Sequence, residues 1–155
     1  MTDQEGQSGC LACDLSSGAT HLPGGRVHAT RFWVVEHCIG PLGVGALVVK
    51  PLRHVLHIAE LTAEESAELG PLLRRVTAAI EEVLRPEQVY ACLWSHSGGV
   101  PGHIHFVLQP ATRELMDQYG AYGPALQTAM FAESDMPDEA AVSAICTRYR
   151  AVLDA

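Results

Sequence analysis

Residues 62–83 carry the most demanding pattern in the chain. Thr62 is followed three residues later by Glu65, the side-chain pair that satisfies orphan amides at a helix start. Leu69, Leu72, Leu73, Val76, Ile80 and Val83 then recur at spacings of three and four, so a long helix lays them along one buried face. Pro71 falls inside this run and predicts a kink in its early turns. Upstream, RVHATRFWVVE (26–36) and GALVVK (45–50) are rich in β-branched and aromatic residues and flank a Gly/Pro-rich turn, which predicts two antiparallel strands. Downstream of Arg85-Pro86-Glu87, VYACLW (89–94) reads as a buried strand, SHSGGVPG (95–102) as a glycine-rich turn and HIHFVLQ (103–109) as a last strand. Short helical pieces are expected at 112–118 and 124–131. A firmer helix from about Pro137 places Val142, Ile145, Tyr149 and Val152 on one side. The fold class these elements predict is α+β, an antiparallel sheet backed by helices.

With 155 residues and 48% hydrophobic content the chain can bury one sizeable core, which predicts a single domain over residues 9–155 behind a flexible stretch 1–8. Ten basic against 18 acidic residues give a formal charge of −8, which repels nucleic acid. No apolar run approaches the roughly 20 residues that span a bilayer, and MTDQEGQSG has neither the basic start nor the apolar stretch of a secretory signal. The expectation is a cytoplasmic protein with neither a nucleic-acid nor a membrane partner.

Five cysteines are an odd number, and their scatter does not suggest a disulfide framework. Cys38, Cys92 and Cys146 read as buried thiols without a role. Cys10 and Cys13 differ, because two cysteines separated by two residues form half of a tetrahedral zinc site. A redox pair is the rival reading, but that motif opens a helix after a buried strand, and no strand precedes residue 10 in this reading. The other ligands must come from His21, His28, His37, His54, His57, His96, His103 and His105. His103 and His105 alternate along a predicted strand, so both project from one face about 7 Å apart while Ile104, Phe106 and Leu108 turn to the core. A lone histidine there reads as a surface residue, whereas a pair after a Gly-rich turn, in a chain with a metal knuckle, reads as functional.

The stretch Gly99-Val100-Pro101-Gly102-His103-Ile104-His105-Phe106-Val107-Leu108-Gln109-Pro110 resembles the motif of the histidine triad (HIT) superfamily, in which three histidines alternate with apolar residues before a proline. Leu47-Val48-Val49-Lys50-Pro51-Leu52-Arg53-His54 followed by Glu60-Leu61-Thr62 resembles the family's strand, loop and helix start, and Cys10-Leu11-Ala12-Cys13 its N-terminal zinc knuckle. These matches run from Cys10 to Pro110 and imply a HIT-like fold and a zinc-bearing branch. The resemblance makes Cys10, Cys13, His54 and His103 the ligands of one structural zinc per chain, with His57 the alternative to His54. It places His105 as the nucleophile that accepts a nucleotidyl group from the α-phosphorus of a nucleotide. Backbone amides of Ser97, Gly98 and Gly99 either approach the phosphate or simply form a hairpin turn. Departures from the pattern are Val107 in place of the third histidine, Val100 in place of a hydroxyl residue, Ala111 in place of an arginine, and no evident loop asparagine. Gln109, the nearest polar residue on that face, is a candidate phosphate contact. The expected functions are a nucleotide-phosphate hydrolase or nucleotidyltransferase working through a covalent histidine intermediate, a catalytically silent zinc module that binds nucleotides or phosphorylated ligands, or a zinc-dependent hydrolase. The resemblance also implies a homodimer, with Gln88–Trp94 or the first strands as candidate interface.

Overall fold

The computed structural model describes residues 9–155; the stretch 1–8, expected to be flexible, lies outside the described residues. In chain order the elements are α1 (Leu11–Ser17), β1 (Arg26–Ala29), β2 (Trp33–His37), β3 (Leu47–Pro51), a single 3₁₀ turn (Ile58–Glu60), α2 (Ala63–Leu84) and β4 (Gln88–Cys92). They continue with β5 (His96–Ser97), β6 (Val100–Pro101), β7 (Phe106–Ala111), α3 (Arg113–Tyr119), α4 (Pro124–Glu133) and α5 (Glu139–Leu153). Five strands form one antiparallel sheet in the order β1-β2-β3-β7-β4, and β5 with β6 makes a separate hairpin. This is the expected α+β architecture.

Alternation along the strands divides the sheet into two faces. Trp33, Val35, Leu47, Val49, Phe106 and Leu108 meet α2 and α5 through Leu72, Val76, Ile80, Val142, Ile145 and Tyr149, forming the larger core. The opposite face carries Val48, Val107 and Ala111, which pack under α4 through Leu126 and Met130. The α2 helix starts as predicted: Thr62 Oγ1 accepts from the Glu65 amide at 3.1 Å, and the Glu65 carboxylate accepts from the Thr62 amide at 2.8 Å. The helix is continuous through Pro71.

Four strand and turn expectations are corrected. Residues 26–36 are not one strand but a hairpin, because Thr30 Oγ1 accepts from the Phe32 and Trp33 amides and folds the chain back. Residue composition is the same on both sides of that turn, so nothing in the pattern marked it. Gln88–Cys92 is a half-buried edge strand rather than a buried one, and Trp94 beyond it is 60% exposed. The segment 95–102 is more than a turn. His96–Ser97 pairs with Val100–Pro101 across Gly98-Gly99, whose φ angles of 56° and 79° are those a two-residue hairpin loop demands. The last strand begins at Phe106, not at residue 103, because the Ile104 amide donates to the Val55 carbonyl in the loop after β3 and the His105 amide to Ser95 Oγ instead of to a neighbouring strand.

Candidate metal centre and cleft

Cys10 caps a short helix that the sequence reading did not contain, and Cys13 lies in its first turn. The helix is held to the sheet by buried polar contacts. Lys50 Nζ, on β3, donates to the Ala12 carbonyl at 2.7 Å and pairs with Glu36 Oε2 at 2.6 Å, both side chains being 2% exposed. Ser16 Oγ donates to the other oxygen of Glu36 at 3.2 Å. The second side of the centre is the loop after β3. Arg53 donates to both oxygens of Glu65 at 3.1 and 2.9 Å, so the carboxylate that closes the α2 capping box also fixes the residue before His54. These hydrogen bonds, the one from Arg53 foremost, hold the Glu65 carboxyl below its ordinary pKa. The third side is the segment before β7, pinned to the same loop by the Ile104 amide donating to the Val55 carbonyl at 2.8 Å.

These three sides bring one ligand atom each from Cys10, Cys13, His54 and His103 within 4.8 Å of one another. Cys13 Sγ lies 3.4 Å from both His54 Nδ1 and His103 Nδ1, and Cys10 Sγ lies 3.8 Å from His103 Nδ1. A tetrahedral zinc with Zn–S near 2.3 Å and Zn–N near 2.0–2.1 Å requires ligand separations of about 3.3–3.8 Å. The donor set and its spacing therefore fit zinc. His103 Nε2–H donates to the Pro51 carbonyl at 2.9 Å, which leaves Nδ1 with its lone pair directed at the sulfurs. Burial, assisted by the nearby His54, Lys50 and His105, brings the His103 pKa down to about 4 despite the Pro51 bond, so the ring is neutral as a metal ligand must be. His57 lies outside this cluster and caps the 3₁₀ turn with Glu60.

Two residues after His103, His105 Nδ1–H donates to the His103 carbonyl at 3.1 Å. Ser95 completes the support: its Oγ accepts from the His105 amide at 2.9 Å and sits 3.4 Å from Nδ1. With Nδ1 carrying the proton, Nε2 keeps its lone pair. His105 lines a cleft of about 920 Å³ together with Ser97, Val107, Trp94, Phe131 and Gln127. Ser95 and Gln127 were missed in the sequence, since neither belongs to a periodic or motif position that would single it out.

Three residues expected to contact phosphate are not brought to the cleft. Gly98 and Gly99 form the exposed turn of the β5–β6 hairpin, and Ser97 lines the cleft in their place. Gln109 is fully buried beneath α4, where its Nε2 donates to Met130 Sδ at 2.9 Å. The strand does direct it to the face of Val107, but α4 covers that part of the sheet. Of the cysteines given no role, Cys38 and Cys146 have their thiols pushed up by burial, which makes them poor nucleophiles.

No family model matches the chain, and no curated protein matches it in sequence. Solved structures do match. A hypothetical histidine triad nucleotide-binding protein from Sulfolobus tokodaii strain7 superposes with a TM-score of 0.70 at 14% identity, over 94% of this chain and 92% of the other. A Hit-like protein involved in cell-cycle regulation from Bartonella henselae gives 0.71 at 12% identity, over 93% and 96%. A Zn-bound histidine triad family protein from Mycobacterium smegmatis gives 0.67 at 18% identity, over 94% of each. The fold is that of the histidine triad proteins. Within that fold, this chain combines a Cys₂His₂ cluster that fits zinc with a valine where the third histidine of the motif is expected.

Proposed function

We propose that the protein transfers or hydrolyses a nucleoside monophosphate group through a covalent intermediate on His105. The observation that carries this reading is the orientation of one imidazole: Nδ1 is bound to the His103 carbonyl, and the ring lines a cleft of a size suited to a small molecule. In the first step the Nε2 lone pair forms a P–N bond as the bond from phosphorus to the leaving oxygen breaks, the leaving group departing with that electron pair. The His103 carbonyl stabilises the positive charge that develops on the ring, because the Nδ1–H bond strengthens as the imidazole becomes cationic. Water or another acceptor then attacks the phosphorus, the P–N bond breaks with its electron pair returning to Nε2, the acceptor's proton passes to solvent, and the nucleotidyl group leaves His105. Zinc, when bound by Cys10, Cys13, His54 and His103, supplies structural rigidity rather than a reacting oxygen. All four places of a tetrahedral shell are filled by the chain, and His105 stands outside the cluster, which disfavours a zinc-dependent hydrolase.

A second reading, a silent module that binds nucleotides or other phosphorylated ligands, draws on Val107, which offers no proton to a leaving group. The two readings separate on intact mass: zinc-loaded protein incubated with activated nucleotides gains a nucleotidyl mass in the parent and none in His105→Asn. A parent without an adduct leaves the binding module. The resemblance in fold to a nucleotide-binding and a Zn-bound protein supports the substrate class and the metal. The cysteine ligands suit a cytoplasmic compartment, which keeps thiols reduced, and no helix among the described residues is long and apolar enough to cross a membrane. A homodimer through the open edge of β4 belongs to the same proposal, and a monomeric mass by light scattering would exclude it.

A further inference from the structure

Position 107 gives the cleft no polar group, but a neighbouring helix does. α4 is held against the β4–β7 end of the sheet by the Gly123 amide donating to Tyr90 Oη at 2.8 Å and by the Gln109–Met130 contact. Its Gln127 is 7% exposed, yet it lines the cleft with His105 and Val107. Among the described residues its carboxamide has one side-chain partner, the Cys92 thiol: Nε2 donates to Sγ at 3.6 Å and the thiol donates to Oε1 at 3.7 Å. A thiol is a weak donor and a weak acceptor, so the amide keeps most of its hydrogen-bonding capacity. Cys92 is in turn the direct cross-strand partner of Val107. Such partners share a face with Cα atoms about 4.5–5.5 Å apart, which sets the carboxamide of Gln127 beside the place a third histidine would occupy.

A buried amide with so weak a partner is under-satisfied, and an anionic oxygen entering the cleft completes it. We infer that Gln127 is the specificity-determining residue for the phosphoryl group beside His105, donating Nε2–H to a non-bridging phosphate oxygen. A carboxamide donates a hydrogen bond but no proton. The substrate class it selects is therefore a nucleoside monophosphoryl compound whose leaving group departs as a stable anion, such as a phosphate or an aryl oxide. This inference rests on the reading that the cleft beside His105 takes a nucleotide phosphate.

The test uses zinc-loaded parent, Gln127→Met and Gln127→Asn, with the four common nucleoside 5′-monophosphates and their nucleosides titrated by calorimetry. Methionine keeps the unbranched shape without the amide; asparagine keeps the amide but shortens its reach. The parent should prefer a monophosphate over its nucleoside. Gln127→Met should lose about tenfold of that preference, as expected for one hydrogen bond to a charged group, with nucleoside affinity unchanged. Gln127→Asn should lose part of it and serves as the readout if the methionine variant does not hold its zinc. Equal preference in parent and variants, or a parent without any preference, would overturn the inference. A Gln127-dependent preference in a protein that forms no adduct would instead sink the covalent reading and leave Gln127 in place. An adduct that forms in a parent whose preference ignores Gln127 does the reverse.

Discussion

The two faces of the sheet are built from the same strands and differ in almost everything else. On one, Val35, Val49 and Leu108 meet α2 and α5 in a continuous apolar layer, with Trp33 Nε1 donating to the Glu65 carbonyl as its polar tie. On the other, Glu36, Lys50 and Gln109 are buried, and the cover is divided between the short α1, α4 and an open cleft. Burying charged and amide groups costs free energy unless they find partners, and here the partners tie the covering helices to the sheet: Lys50 holds α1, and Gln109 Nε2 reaches Met130 on α4 while its Oε1 has no partner among the described residues. The apolar face stabilises the fold, and the polar face spends part of that stability on a fixed geometry around His103 and His105.

The largest expected effect lies on the polar face. Cys13→Ser removes the thiolate that lies 3.4 Å from both histidines of the cluster, and, if the cluster holds zinc, should reduce it from one ion per chain to none while lowering thermal stability. Metal analysis and a melting curve decide it. Full occupancy with unchanged melting would end the structural-zinc assignment.

Glu36→Gln leaves the Lys50 ammonium without its counter-charge, a loss of about 3–5 kcal/mol for a buried pair broken on one side. Because Lys50 also holds α1, zinc should dissociate faster in this variant, as read by transfer to a chromogenic chelator.

On the apolar face, Ile80→Ala opens a cavity in a fully buried site and should cost about 2–5 kcal/mol by urea unfolding. Zinc release should stay at the parent rate. If Ile80→Ala and Glu36→Gln accelerate release alike, the division of labour between the faces fails.

Val107→His is the smallest change and sharpens the comparison at one point. Val107 lines the cleft, so an imidazole there would stand near the departing group. The rate ratio between an aryl and an alkyl leaving group should shrink by up to about 100-fold, the contribution of a positioned acid. An unchanged ratio would mean that position 107 does not face the leaving group.

Much of this was readable in advance, and the reasons are specific. The α2 helix, its capping box and α5 declared themselves because a helix face is a local repeat that any cover will bury. The resemblance around residues 99–110 led to the fold that the solved structures share, and to the Cys₂His₂ set that the chain gathers. The hairpin within residues 26–37 was missed because one threonine hydroxyl, not a Gly or Pro, turns the chain. By sequence Gly98 and Gly99 suit either a phosphate contact or a hairpin turn, and their positive φ angles belong to the turn.

The sequence by itself determined which residues face together along each strand and helix, because that periodicity depends only on backbone geometry. It therefore set Val107 and Gln109 on one side of a strand, opposite Phe106 and Leu108. Tertiary structure decided what covers each position. The placement of α4 closes over Gln109 and brings Gln127 to the cleft. The hydrogen bonds from Lys50 and Arg53 carry Cys10, Cys13 and His54 to one point. No local repeat encodes such contacts, because they join residues dozens of positions apart and exist only once the sheet, α1 and α4 are packed together.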